Sequence, residues 1–195
     1  MDALITSIQQ CDLCKDHLPL GPRPVVQLSQ KARVMIIGQA PGTKVHTTGI
    51  PWNDPSGDLL RTWLAMEREQ FYNPDMLAIM PMGFCYPGKG KSGDLPPRPE
   101  CAPKWHPQVF EQIPRLDMIL LVGQYAQNAY LPKEQTRGSM QQRLMDWDYE
   151  SGKFLPLPHP SPRNRRWLKT NAWFEQRVIP IIRKRFWNAL ENPRY

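Results

Sequence analysis

Four cysteines carry the most specific chemical signal in the chain. Cys11 and Cys14 form a C-x-x-C pair, while Cys85 and Cys101 flank a long proline-rich stretch. Disulfide frameworks belong to oxidising compartments. Met1–Gln10 has no signal-peptide core, and runs such as Met118–Val122 are far too short to cross a bilayer. The expected location is therefore cytoplasmic, away from membranes, and metal binding leads among the readings of the thiols. Zinc ribbons generally supply two close pairs, whereas here the second pair is split by a loop. A 4Fe–4S cluster accepts thiolates from separated segments and commonly takes four, so all four cysteines are assigned to one such cluster, with zinc as the alternative. The expected role of the cluster is structural, pinning the N-terminal helix and the loop from Cys85 to Cys101.

The basic residues point to a polyanion. Lys and Arg number 25 against 18 Asp and Glu, a net charge of +7, and neutralising phosphates releases counterions. Lys89 and Lys91 lie in a Gly-rich loop, with Arg98 beyond them, and Arg163, Arg165 and Arg166 follow a Pro-rich turn that contains Ser161. These are the candidate DNA-binding residues. Prolines concentrate in the same two places, Pro87 to Pro103 and Pro156 to Pro162. Proline lowers the entropy lost when a loop is ordered, as expected of loops that hold a shape against a ligand.

The elements that would position these groups alternate between strand and helix. Val34–Ile37, Met76–Met80 and Met118–Val122 are compact apolar runs that stop at glycine or proline, the pattern of buried strands. Ala3–Gln10 reads as a helix. Ser56–Tyr72 reads as another, with Ser56 as N-cap, followed by helices at Gln124–Tyr130 and Met140–Trp147. Asp148–Leu157 reads as a β-hairpin turning at Ser151-Gly152, and Arg166–Leu190 as a helix kinked or divided at Pro180. The stretch from Cys85 to Pro103 shows no periodicity. The expected fold is α/β: one domain over residues 1–195, three layers, α/β/α, around a mainly parallel four-stranded sheet. Ligands of such sheets sit beyond the carboxyl ends of the strands, so the segments after Ile37, Met80 and Leu157 should share one edge.

Combined with the cysteine spacing, Gly38-Gln39-Ala40-Pro41-Gly42 after the first strand and His159-Pro160-Ser161 near the end resemble family 4 uracil-DNA glycosylases, the cluster-containing branch of that superfamily. The resemblance runs from Cys11 to about Arg166. It implies a monomeric DNA-repair hydrolase of base excision repair, acting on single- or double-stranded DNA. Such an enzyme extrudes a deaminated base, uracil above all, and cleaves its N-glycosidic bond to leave an abasic site. Backbone N–H groups of the tight turn Gly38–Gly42, with Gly38 and Ala40 as base-binding residues, would face the base, and Gln39 occupies the place of an acid that positions water. Trp52, in Gly49-Ile50-Pro51-Trp52, inherits the stacking role of a phenylalanine. Asn53 and Asp54 follow it; Asp54 is the nearest carboxylate able to position water, and equally a turn residue before Pro55. His159 resembles the histidine that donates to the uracil oxygen. Pro162 and Arg163 match the loop that enters the vacated stack or clamps phosphates.

Two pocket groups depart from that pattern. Gln39 is an amide and cannot act as a general base. Four residues before the third cysteine, where the family carries an asparagine that recognises uracil, stands Pro81. Asn53, Asp54 or Gln124 would have to replace the lost contacts. Beside the glycosylase stand two alternatives: a non-catalytic or altered-specificity DNA-binding protein on the same scaffold, and an unrelated zinc or cluster protein.

Overall fold

The computed structural model describes residues 1–191; residues 192–195, the last four of the expected domain, lie outside the described residues. In chain order the elements are α1 (Asp2–Gln9), β1 (Val34–Ile37), α2 (Thr43–Thr48), α3 (Pro55–Leu64), α4 (Arg68–Phe71), β2 (Leu77–Ile79), β3 (Lys89–Gly90), β4 (Gly93–Asp94), α5 (Cys101–Gln112), β5 (Met118–Val122), α6 (Gln124–Tyr130), α7 (Lys133–Thr136), α8 (Met140–Asp146), β6 (Phe154–Leu157), α9 (Arg165–Thr170) and α10 (Ile179–Glu191). The main sheet has the order β2-β1-β5-β6, and all its pairings are parallel. The small ladder β3–β4 is antiparallel and separate.

Strand side chains alternate between two cores, as the two-residue strand period requires. Val34, Ile36, Leu120 and Leu157 face α3, α9 and α10, where Leu60, Trp63, Leu168 and Phe186 complete the packing. Met35, Ile37, Ala78 and Leu121 face α1, α5 and α6, against Ile8, Trp105, Val109 and Ala126. The sheet is therefore covered on both faces, and its four parallel strands end on one edge. That is the expected three-layer architecture.

Several boundaries differ from the sequence expectation. The helix expected over Ser56–Tyr72 is two helices, because Ala65 takes a left-handed conformation (φ 52°) that closes α3. Its N-cap is Asp54 rather than Ser56: Asp54 Oδ1 accepts from Gly57 N at 2.9 Å, and Pro55 occupies a first-turn position where its missing N–H costs nothing. The expected hairpin over Asp148–Leu157 does not form. Phe154–Leu157 pairs parallel with β5, while Asp148 Oδ1 accepts from Glu150 N and Arg185 donates to the carbonyls of Tyr149, Ser151 and Gly152. Those bonds satisfy the turn without a partner strand. The long C-terminal helix is interrupted at Asn171, and a wider-pitched segment, Phe174–Val178, leads into α10 just before Pro180. Proline cannot donate the next helical bond, and such a bulge accommodates the gap. The stretch expected to be irregular carries the β3–β4 rung and opens α5 at Cys101.

Candidate active site

At the carboxyl edge of the sheet an open cavity is lined by Gly38, Gln39, Ala40, Pro41 and Gly42 after β1, by Pro51, Trp52 and Asp54 before α3, by Pro81 after β2, and by His159 after β6. Val25, Val45 and Ile79 complete the wall. Three of these segments follow strands of one parallel sheet, and Pro51–Asp54 joins them from the connection between α2 and α3.

The turn after β1 is tied by its carbonyls: Gly38 O accepts from Met82 N at 2.9 Å and Gln39 O from Gly83 N at 3.0 Å. Among the described residues, the N–H groups of Gln39 and Ala40 have no backbone acceptor, so two donors at the cavity wall are available to a ligand. The Gln39 side chain turns to the β3–β4 hairpin, donating from Nε2 to Leu95 O at 3.2 Å.

Trp52 adopts φ 55°, a conformation costly for a non-glycine residue, and the surroundings over-determine it. Its carbonyl accepts from Arg61 Nη1 at 3.3 Å. The same carbonyl occupies the space where a side chain at Gly57 would begin, and a Cβ on Gly38 would lie 2.9 Å from the indole. The indole therefore rests on bare glycine backbone at the end of β1. It lies 5.5 Å from the His159 ring, tilted by 34°. The Asp54 cap bond uses Oδ1, and among the described residues Oδ2 has no partner. Asn53 does not line the cavity: its Oδ1 accepts from Arg68 Nη2 at 2.9 Å. Gln124 also lies outside the lining, on the exposed start of α6.

His159 packs against Gly123, whose φ of +84° takes the chain from β5 into α6 without a side chain in the way. Its carbonyl accepts from Asn164 Nδ2 at 2.8 Å, which fixes the Pro160-Ser161 turn. Desolvation holds the imidazole below the ordinary histidine range, against the nearby Asp54 charge that raises it. The ring is therefore neutral at pH 7, with one N–H to donate.

The β3–β4 hairpin stands beside this cavity and contributes residues that the sequence alone did not single out. Arg163 Nη1 donates to Ser92 O at 2.6 Å, crossing Gly93, where any Cβ would collide with it. Asp94 Oδ2 approaches Gly42, at 3.5 Å from a Cβ built there. Its carboxyl is pushed up chiefly by desolvation, with Arg163 and Lys89 opposing and Asp54 adding to the shift. Leu95 is 44% exposed at this rim. Lys89, Lys91, Arg165 and Arg166 are exposed, and Ser161 is half-buried. The glycines at 90 and 93 bracketing a two-residue turn were the only signal of this hairpin, since its rungs are two residues long.

The four cysteines line a second cavity, with Leu13, Leu18, Arg98 and Trp105. Burial pushes the Cys85 thiol up to about 11 and the Cys101 thiol up to about 12, each also raised by the other cysteines nearby. Phe84 N donates to Cys101 Sγ at 3.3 Å. Among the described residues no group of three or more His, Cys, Asp or Glu side chains is placed to hold a single metal ion.

The chain matches the family model of the uracil DNA glycosylase superfamily over residues 25–183. It belongs to that superfamily. Members of the superfamily act on DNA, and the matched span contains every residue of the carboxyl-edge cavity. Cys11 and Cys14 precede the span. No helix among the described residues is long and apolar enough to cross a membrane.

Proposed function

We propose that this protein excises uracil, or another deaminated base, from DNA by hydrolysing the N-glycosidic bond, acting as a monomer in the cytoplasm with one 4Fe–4S cluster on its four cysteines. The observation that carries the reading is the convergence of the Gly38–Gly42 turn, Trp52, Asp54 and His159 on one cavity.

The steps follow from those groups. A nucleotide must leave the stack before its glycosidic bond is reachable, and the Trp52 face receives the extruded base, a contact worth on the order of 1–3 kcal/mol. As the bond breaks, its electron pair departs with the base, leaving negative charge on the base oxygens and positive charge on the sugar. The neutral His159 N–H and the free N–H groups of Gln39 and Ala40 stabilise the first. The unpartnered Oδ2 of Asp54 stabilises the second and orients a water. The water oxygen bonds to the anomeric carbon, and its proton neutralises the departing base. Gln39 orients and does not deprotonate.

The cysteine cavity suits a cluster by its donor set: all four cysteines line one space, and a backbone N–H already points at one of the sulfurs. When bound, the cluster would hold its thiolates deprotonated and tie Cys11 and Cys14 to the segments bearing Cys85 and Cys101.

The decisive experiment incubates the purified protein with oligonucleotides containing uracil, hypoxanthine, xanthine or mismatched uracil and measures abasic sites, with its colour recorded. Release of at least one deaminated base, slowed about 10²–10³-fold in His159→Ala, supports the reading. Tight, salt-sensitive binding without release favours a DNA-binding protein on this scaffold, a reading to which the amide at Gln39 and the donorless Pro81 lend weight. A colourless zinc-containing protein overturns the cluster assignment alone.

A further inference from the structure

Pro81 is buried in the wall of the base cavity, and the peptide joining it to Met82 is held at both ends. On one side Met82 N donates to Gly38 O at 2.9 Å. On the other the Pro81 carbonyl meets His106 Nε2 at 3.0 Å. His106 comes from α5 and is 3% exposed. Neither His106 nor its second partner, Tyr130, lines the base cavity.

The proton positions follow from the partners. A carbonyl only accepts, so Nε2 carries the hydrogen; Nδ1 is then an acceptor, and the Tyr130 hydroxyl donates to it. The imidazole lies between Phe84 and Tyr130, with ring centroids 5.8 and 5.9 Å away and planes within 19° and 11°. Both ring nitrogens of the buried imidazole are thus bonded.

This arrangement bears on which base the cavity accepts. Cytosine, adenine and guanine carry exocyclic amino donors, and deamination replaces each amino group with a carbonyl oxygen. A free carbonyl oxygen in the wall would accept from an amino group and repel the oxygen that replaces it, favouring undamaged bases. Pro81 has no N–H and no polar side chain, so its carbonyl is its only polar group, and His106 occupies that carbonyl from behind. We propose that His106 is a positioning residue that sets selectivity for deaminated over normal bases, by keeping the Pro81 carbonyl bonded away from the base edge. The proposal rests on the glycosylase reading above and deepens it.

The test uses the full chain and its variants His106→Phe, His106→Gln and Tyr130→Phe. Single-turnover release and binding affinity are measured on oligonucleotides carrying uracil or cytosine at one position. In His106→Phe the uracil-to-cytosine ratio should fall about tenfold, the equivalent of one hydrogen bond. His106→Gln, whose amide N–H can reach the same carbonyl, should recover most of the ratio, and Tyr130→Phe should fall between. Equal loss on both substrates would show a merely structural role and overturn the proposal. If the native protein releases no base at all, the glycosylase reading fails separately. The binding arm then decides: a uracil preference abolished by His106→Phe sustains the role of His106, and an unchanged or absent preference refutes it.

Discussion

Replacing Gly57 with alanine tests whether the cavity depends on the conformation of Trp52. The added methyl carbon would start 1.7 Å from the Trp52 carbonyl oxygen and 2.7 Å from its carbon. Backbone atoms do not tolerate that approach, so one of the two must retreat by more than about 1 Å. Gly57 cannot, because it sits in the first turn of α3 and its N–H holds the Asp54 cap bond. The segment carrying Trp52 and Asp54 must move instead. It would break the bond from Arg61 to the Trp52 carbonyl and lift the indole from Gly38. Overpacking of this kind costs about 1–3 kcal/mol, and misplacing reacting groups by an ångström costs on the order of 10²-fold in rate.

The assay pairs urea unfolding with single-turnover base release, and its control is Gly138→Ala, a glycine with positive φ and open space around it. The control should lose stability through backbone strain alone and keep its rate. Gly57→Ala should lose about 10²-fold in rate with its far-UV circular dichroism unchanged from the native protein. A Gly57→Ala protein as active as Gly138→Ala would refute the claim that the left-handed Trp52 is held in place for catalysis.

Other expectations follow from the same geometry. His159→Ala should lower base release by about 10²–10³-fold, and Trp52→Ala by the equivalent of about 1–3 kcal/mol of stacking, both with cluster absorbance retained. Burial holds His159 below 6.5, so the ring stays neutral with one N–H to donate and release should be flat through neutral pH, which a pH–rate profile reads directly. Burial holds His106 near 4, against an ordinary value of 6.5. The unfolded chain therefore takes up a proton in that window that the native protein refuses, and stability should fall by about 3 kcal/mol as pH drops through it. Urea midpoints for His106→Gln should show a correspondingly shallower acid slope. Leu95→Ala should slow release from duplexes about tenfold but barely affect single strands, because only a duplex leaves a stacking gap for an apolar wedge to fill; equal effects on both would remove Leu95 from the DNA face.

The sheet was legible because its strands are short apolar runs punctuated by glycine or proline, and Val34–Ile37 and Met118–Val122 need no tertiary information to be read. The turns at Gly38 and His159 were legible for a related reason: in a parallel sheet, whatever follows each strand lands on one edge. The α5 helix was hidden because Pro103 and Pro107 lie inside its span, and only tertiary packing of Trp105 and Val109 offsets their cost. The orientation of Asn53 was not legible either, since it depends on Arg68, fifteen residues later. The contact between His106 and Pro81 spans 25 residues. Neither residue alone has a pattern that announces it, and the departure at Pro81 looked like a simple loss until the wall behind it could be seen.

The base cavity and the cysteine cavity share one piece of backbone. Pro81 lines the first; Gly83, Phe84 and Cys85 line the second; and Met82 and Gly83 donate to the Gly38 turn. Phe84 binds both ways: its N–H reaches Cys101 Sγ, and its carbonyl accepts at 2.8 Å from Val25, itself part of the base cavity wall. Five consecutive residues thus set the wall against which a base would rest and the sulfur that would anchor an inorganic centre. A segment with so little regular structure of its own keeps its shape only through such cross-links. A group bound by the four thiols would therefore act on the base cavity through position, without any need to exchange electrons.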